Sequence, residues 1–324
     1  VGVFAVYAES ISQDDPLTGL VLDERPDPEP REGWTAVTVR AASLNHHDLW
    51  SLRGVGLGED ALPMILGCDA AGVDEDGNEV VVHAVIKDPA WAGDETLDPK
   101  RSLLSERHQG TFADTVLVPS GNVVPKPASL AFEEAACLPT AWLTAYRMLF
   151  TQGGLKPGDS VLVQGAGGGV ATALISLARA GGLRVYATSR DESKRERALE
   201  LGAHQVAESG ARLPEKVDAV METVGRATWS HSIKSLRPGG SLVISGTTSG
   251  PNPDNAELTR VFFLQLRVVG STMGTRAELE SLVNLLDVSG VRPVIDQVLP
   301  MTEALDGFRA MAEGDVFGKI VFTR

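Results

Sequence analysis

Apolar residues change their spacing part-way along the chain. Over about the first 120 residues they alternate or cluster in short β-branched runs. Trp34–Ala42 alternates as a strand does, Glu79–Ile86 is a β-branched run, and Phe112–Pro119 is another. Proline and acidic residues in Arg25–Glu32 predict a surface turn. Lys87–Arg107 is polar, irregular and long, and predicts an exposed loop or lobe. From Glu133 the period becomes helical, and Glu133–Phe150 sets Ala135, Leu138, Leu143 and Met148 near one face. Strand and helix then alternate. Strand Ser160–Gln164 leads to helix Gly169–Gly181, strand Leu183–Thr188 to helix Ser193–Leu201, and strand Ala219–Thr223 to helix Ala227–Leu236. Strands Ser241–Ser245 and Leu266–Gly270 close the series. Gly202 and Gly239–Gly240 fall where helix ends and turns need them.

This alternation predicts an α/β fold with a doubly wound parallel sheet. About the last 50 residues hold a helix, Ala277–Val288, and strands Asp296–Leu299 and Gly318–Thr323. They are too few for a domain, so they are expected to rejoin the N-terminal half. The length of 324 residues suits two domains. No stretch is long and apolar enough for a membrane span, and no basic-then-apolar leader pattern opens the chain. With only Cys68 and Cys137 there is no disulfide framework, and a reducing cytoplasm is the expectation. A net charge of −14 argues against nucleic acid or anionic membrane as a partner and leaves small molecules.

The candidate chemistry begins at the first strand of the alternating series. It runs into Gly165-Ala166-Gly167-Gly168-Gly169-Val170-Ala171, and a helix comes next. Glycines there let the backbone approach a pyrophosphate, and the helix start offers unpaired N–H groups and a positive dipole end. About 20 residues on, where an NAD-selective site carries an acidic residue on the ribose hydroxyl, the second strand ends in Thr188-Ser189-Arg190 with Lys194 beyond. A hydroxyl and two cations suit a 2′-phosphate, so the expected cofactor is NADPH.

Several segments together resemble the medium-chain dehydrogenase/reductase superfamily, and within it the zinc-free quinone oxidoreductase branch. They are Ala42-Ser-Leu-Asn-His-His-Asp48 with Gly54, Gly67-Cys-Asp-Ala-Ala-Gly72, and Leu138-Pro-Thr-Ala-Trp-Leu-Thr-Ala-Tyr146. Leu155-Lys-Pro-Gly-Asp159, Glu200-Leu-Gly-Ala203 and Gly318-Lys-Ile-Val321 complete the set. The resemblance implies a GroES-like, β-rich catalytic domain over residues 1–135, with 272–324 returning to it, and a Rossmann NADP-binding domain over 136–271. It implies that the active site lies in the cleft between them. Thr144 would contact the nicotinamide side, while Thr223, Ser245, Gly246, Thr272, Met273 and Gly274 would line the cofactor cleft. His46 would lie near the pyrophosphate, and a homodimer or homotetramer would be the assembly.

The zinc-dependent relatives hold catalytic zinc with a cysteine, a histidine and a second cysteine. At those positions this chain carries Asn45, Cys68 and Thr140, and Val85–Gln109 lacks the four cysteines of the structural zinc lobe. No metal is therefore expected. Without a Lewis acid worth several kcal/mol to an alkoxide, hydride addition to an enone or quinone is favoured, because charge spreads over the acceptor. The catalytic candidates are Asn45, to orient a substrate carbonyl; His47, facing the cleft; Asp48, buttressing the loop; and Trp50, walling an aromatic slot where several relatives carry tyrosine. The alternatives are a zinc-type alcohol dehydrogenase with altered ligands and an NADPH-binding scaffold that has lost catalysis.

Overall fold

Ten residues, Trp34–Ser43, form the strand on which the first of two units is built. It pairs antiparallel with Asp69–Asp74, Thr115–Pro119 and Lys319–Thr323, while its Val37 and Val39 are buried in the core. The computed structural model describes residues 2–324. One unit runs to Leu143 and takes back Met273–Arg324, and the other is Thr144–Thr272. No helix among the described residues is long and apolar enough to cross a membrane.

In the first unit a seven-stranded sheet carries Lys319–Thr323 between Trp34–Ser43 and Ile295–Pro300. The last residues thus rejoin strands from the beginning of the chain. Beneath them Phe112 meets Phe322 and Phe308 edge to face, with ring centroids 5.3 and 6.1 Å away. Phe308 comes from a helix, Ala304–Glu313, that the sequence pattern did not announce. Its buried residues Ala304, Gly307, Phe308 and Met311 have helical spacing, but two of the four are small and one is glycine. Gly307 is needed there, because a Cβ would stand 2.7 Å from the Phe322 ring. Two N-terminal strands, Gly2–Ala8 and Leu20–Pro26, were also not foreseen; they pair with each other in a separate three-stranded sheet. The polar stretch after Ile86 is a lobe held by its own carboxylates. Buried Asp98 accepts from the backbone N–H of Asp88 at 2.7 Å and of Lys100 at 2.8 Å.

The helical run from Phe132 is not one regular helix. After Phe132–Ala136 the turn widens through Leu138–Trp142, where Pro139 offers no N–H, and widens again over Arg147–Gln152.

The second unit has six strands, all parallel, in the spatial order Gln205–Ala207, Arg184–Thr188, Ser160–Val163, Val217–Glu222, Leu236–Ile244, Arg267–Gly270. Counted along the unit this is 3-2-1-4-5-6, the dinucleotide-binding Rossmann order. The chain reverses direction of winding between Ser160–Val163 and Val217–Glu222. Both strands are apolar at their centres because helices cover both sheet faces, and Val161, Leu162, Ala219 and Val220 are fully buried. Such a sheet binds ligands beyond the strands' carboxyl ends at the reversal.

One glycine of the Gly67–Gly72 segment shows how tightly the first sheet is drawn. A Cβ on Gly72 would lie 2.1 Å from the Thr38 carbonyl oxygen. Gly72→Ala should therefore destabilise the protein by about 2 kcal/mol or more. Urea unfolding checks this; an unchanged midpoint would contradict it.

Candidate active site

The glycine loop sits at that reversal. Gly165 and Gly167 take left-handed backbone, with φ of 72° and 132°. Ala166 N–H donates to Thr188 O at 2.8 Å, which fixes the loop against the next strand. The helix Gly169–Ala180 begins after an extended Gly168 with no side chain capping it. No atom lies within 4 Å of the place a Cβ on Gly168 would take, so the helix start has open space before it. Lys194 lies across Gly167: a Cβ there would stand 2.8 Å from its Cδ and 3.6 Å from its Nζ. A loop of N–H groups with an ammonium beside it fits the phosphates of a dinucleotide.

Gln164, just before the loop, ties three elements together. Its amide accepts from Thr188 Oγ1 at 2.6 Å and donates to Ser232 Oγ at 2.9 Å and His231 Nδ1 at 2.8 Å. Glu222, at the end of the fourth strand, is fully buried. It accepts from the N–H groups of Val224 and Gly225 and from the hydroxyls of Thr228 and Ser232. These bonds hold the turn that carries Thr223, while Ser245 donates its N–H to Glu222 O at 2.9 Å and Gly246 comes next. Neither Gln164 nor Glu222 was among the expected residues.

Ser189 is buried and Arg190 exposed. The nearest acid, Asp191, caps the helix Glu192–Leu201 by accepting from Lys194 N at 3.1 Å and Ser193 Oγ at 2.8 Å; those bonds lower its pKa. Arg195, which faces inward, donates to Ser189 O at 2.9 Å. At the end of the second strand the chain thus carries Ser189 and Arg190, with the Asp191 carboxylate engaged in capping the helix.

In the first unit the expected residues gather around Asn45 and the helix His46–Leu52. Lys319 brings its ammonium to this place and is 2% exposed. It donates to Leu44 O at 2.7 Å and Asn45 Oδ1 at 2.6 Å, and lies 3.4 Å from Asp69 Oδ2. Asn45 in turn donates to Asp69 Oδ2 at 2.8 Å and Ser43 O at 3.3 Å. Both amide hydrogens are spent internally. Asn45 is thus not the free carbonyl-orienting donor expected from its position; it is part of a buried ionic cluster. A lysine inside the apolar run Gly318-Lys-Ile-Val-Phe was the available signal for Lys319. Nothing local pointed to its partners.

His47 is clamped at both nitrogens. Nε2 lies 3.1 Å from Glu106 Oε1 and Nδ1 lies 3.4 Å from Cys68 Sγ. Burial pushes the Cys68 thiol up, and it donates to Leu104 O at 3.3 Å. Burial acts to depress the imidazole, but the Cys68 sulfur and the Glu106 carboxylate outweigh it and hold its pKa well above the ordinary histidine range. Glu106 was not foreseen. Asp48 accepts from Asn45 N at 2.8 Å and Gly67 N at 3.0 Å, bonds that tie the helix start to Gly67; burial pushes it up to about 6. Trp50 is 37% exposed, with the Arg53 guanidinium over its ring. His46 is exposed at the helix start, and Thr144 is buried. Met273 has left-handed backbone (φ 48°) and buries its side chain with Cys68, Ala84 and Val85; Thr272 precedes it, and Gly274 comes so near Leu143 that a Cβ would meet it at 2.6 Å.

His47, Asp48 and Cys68 place one ligand-capable atom each within 4.8 Å of one another. Asp48 already serves two N–H groups. At the positions of the relatives' zinc ligands, Asn45 Oδ1 faces an ammonium and Thr140 is a hydroxyl. Neither Asn45 nor Thr140 offers the thiolate that a tetrahedral zinc site takes from cysteine.

Residues 31–128 match the family "Alcohol dehydrogenase GroES-like domain", and residues 169–288 match "Zinc-binding dehydrogenase". The chain is 26% identical to the acryloyl-coenzyme A reductase of Sulfurisphaera tokodaii, over 94% of this chain and 97% of that one. It is 30% identical to the zinc-type alcohol dehydrogenase-like protein YogA of Leptosphaeria maculans, over 93% of each. A solved NAD-dependent alcohol dehydrogenase is 34% identical with a TM-score of 0.91 over 99% of both chains. A 2-octenoyl-CoA carboxylase reductase in complex with NADP and 2-octenoyl-CoA is 25% identical with a TM-score of 0.90, covering 99% of this chain and 87% of that one.

Glu106→Gln should lower the His47 pKa, because the carboxylate favours the imidazolium. An NMR titration of the imidazole C–H signals reads it, and an unmoved midpoint would mean that Glu106 does not hold the proton. Asp48 makes a second, separable prediction. A carboxyl raised in the folded state stabilises fully below its ordinary pKa and loses that contribution as pH rises through about 6. The loss amounts to about 3 kcal/mol. The stability measured by urea unfolding at several pH values should fall less steeply with pH in Asp48→Asn than in the unsubstituted protein.

Proposed function

The chain belongs to the medium-chain dehydrogenase/reductase superfamily, and on that premise we propose that it reduces quinones or α,β-unsaturated carbonyl compounds with NADPH and without catalytic zinc. It is an oxidoreductase of that superfamily; the acceptor, the phosphorylated cofactor and the missing metal are the proposal.

The observation that carries it is the seat of Lys319. The ammonium bonded to Asn45 and beside Asp69 puts a fixed positive charge against residue 45, where a zinc-dependent relative has a thiolate ligand. An amide oxygen committed to an ammonium is a poor zinc ligand, and Thr140 is no better. A polarised alcohol is then not the natural substrate. A conjugated acceptor spreads its charge and needs less support. Acryloyl-CoA and 2-octenoyl-CoA, named with two of the similar proteins, are such acceptors.

NADPH, when bound, supplies the hydride. The glycine loop Gly165–Gly169, with Ala166, Gly167 and Gly168 inside it, and Val170 would hold its pyrophosphate. Thr188, Ser189, Arg190 and Lys194 would hold the 2′-phosphate end, and Thr144, Thr223, Ser245, Gly246, Thr272, Met273 and Gly274 remain our assignments to the rest of the cofactor. His46 we assign to the pyrophosphate. His47 we keep as a catalytic assignment, a ring that Glu106 and Cys68 hold in place and that stays partly uncovered. Trp50, partly exposed, is available to wall a flat substrate.

A zinc alcohol dehydrogenase with other ligands is the second reading, favoured by the close approach of His47, Asp48 and Cys68. We also propose a homodimer. The edge strand Arg267–Gly270 leaves one side unpaired, and beside it Leu258, Phe262 and Phe263 are at least 70% exposed, as a second copy would need.

The discriminating experiment monitors NADPH and NADH oxidation against quinones, enones and aldehydes, with and without EDTA, alongside metal analysis. Turnover of conjugated acceptors should survive EDTA. Lys194→Glu should raise the KM for NADPH about tenfold and leave that for NADH nearly unchanged. Stoichiometric metal whose removal abolishes turnover would establish the zinc reading instead. Light scattering on Phe263→Asp should show a shift from dimer to monomer.

A further inference from the structure

The chain has 43 acidic and 29 basic residues, yet one pocket of the second unit reverses that balance. It has a volume of about 400 Å³ and is lined by Arg212, Lys216, Lys234 and Arg260, with Glu215 as its one carboxylate. Three stretches build it. They are the segment between the strands Gln205–Ala207 and Val217–Glu222, the helix Trp229–Ser235, and the helix Leu258–Phe263. None of the lining residues belongs to the glycine loop or to the second strand's end.

The cations there are not balanced by their neighbours. Glu215 is engaged outside the pocket by Tyr186 and by Arg184, the latter at 3.4 Å. Lys234 and Arg260 share a single carboxylate, Glu257, at 3.1 and 3.5 Å. Among the described residues neither Arg212 nor Lys216 has a carboxylate within ion-pair distance. Lys216 donates only to the carbonyl of Lys234. Its pKa is lowered, first by burial and then by the Arg212 and Arg260 charges. Cations held this near one another repel unless an anion joins them. His231, also in the wall, is engaged at both nitrogens: Nε2 faces the Ala211 carbonyl at 2.8 Å and Nδ1 faces the Gln164 amide at 2.8 Å.

We propose that this pocket is a second anion site, distinct from the dinucleotide loop, for small molecules bearing a phosphoryl group of at least two negative charges. Two guanidinium forks and two ammonium groups around one cavity present more donors than a single carboxylate can use. A phosphoryl group accepts several such bonds at once. A monovalent carboxylate would leave part of the positive charge uncompensated. The inference does not depend on which substrate the enzyme reduces.

The probe is inorganic pyrophosphate, titrated calorimetrically into the full chain at low salt. Three proteins are compared: the unsubstituted chain, Arg212→Gln/Lys216→Gln, and Lys194→Gln in the dinucleotide loop. The double variant should bind pyrophosphate about tenfold more weakly at one site, with its thermal unfolding midpoint and its affinity for NADPH kept. Lys194→Gln should leave that site intact, which separates it from the cofactor's own phosphate cradle. Inorganic phosphate should compete for the site, and acetate should not. Heat that the double variant leaves unchanged, or that disappears entirely in Lys194→Gln, would overturn the proposal. So would the absence of any binding heat at low salt.

Discussion

A single buried ammonium organises the first unit. Lys319 stands in the last strand, yet its hydrogens go to Leu44 O and Asn45 Oδ1, with Asp69 Oδ2 alongside. A charge taken out of water survives only if its partners replace the water it gave up. Three hydrogens meet three oxygens here, and one of the oxygens carries the opposite charge. The consequences run outward. Asn45 must turn its oxygen to the lysine and its nitrogen to Asp69, which fixes the start of the helix bearing His46, His47 and Asp48. Ser43 donates to the same carboxylate oxygen at 2.8 Å. The geometry of the candidate catalytic residues is therefore inherited from a buried ion pair.

The second unit obeys a different constraint. Its strands are short and apolar, so position along the sheet is set by what lies at their carboxyl ends. Gln164 and Glu222 provide that control from the two strands flanking the reversal of winding. The first secures a side-chain amide to the second strand and to a helix. The second gathers two N–H groups and two hydroxyls around one carboxylate. The turns beyond these two strands are thereby held by side chains that lie outside the glycine loop.

Much of this was legible in the chain itself, for a physical reason. Helices and parallel strands repeat locally, and the alternation after residue 133 predicted five of the six parallel strands and the helix behind the glycine loop. Gln205–Ala207 escaped because three residues carry no readable period. The helix Ala304–Glu313 escaped because its buried face includes a glycine and an alanine. In the site, the residues that share a helix turn with Asn45 were within reach of local reasoning. Lys319 lies 274 positions from Asn45 and Glu106 lies 59 from His47, and no local pattern encodes such meetings. Asn45 was misread as a free donor for that reason: its residue type could be seen, but its partners could not.

The pairing of Lys319–Thr323 with Trp34–Ser43 bears on how the molecule is born. The middle unit is one uninterrupted stretch, so it can condense while the ribosome is still translating the C-terminal segment. The outer unit cannot close its principal sheet until the final five-residue strand has left the exit tunnel. During that wait Ala41, Ala42 and Ser43 lack the neighbours they have in the folded sheet, and an unpaired strand flank is a surface on which chains pair wrongly.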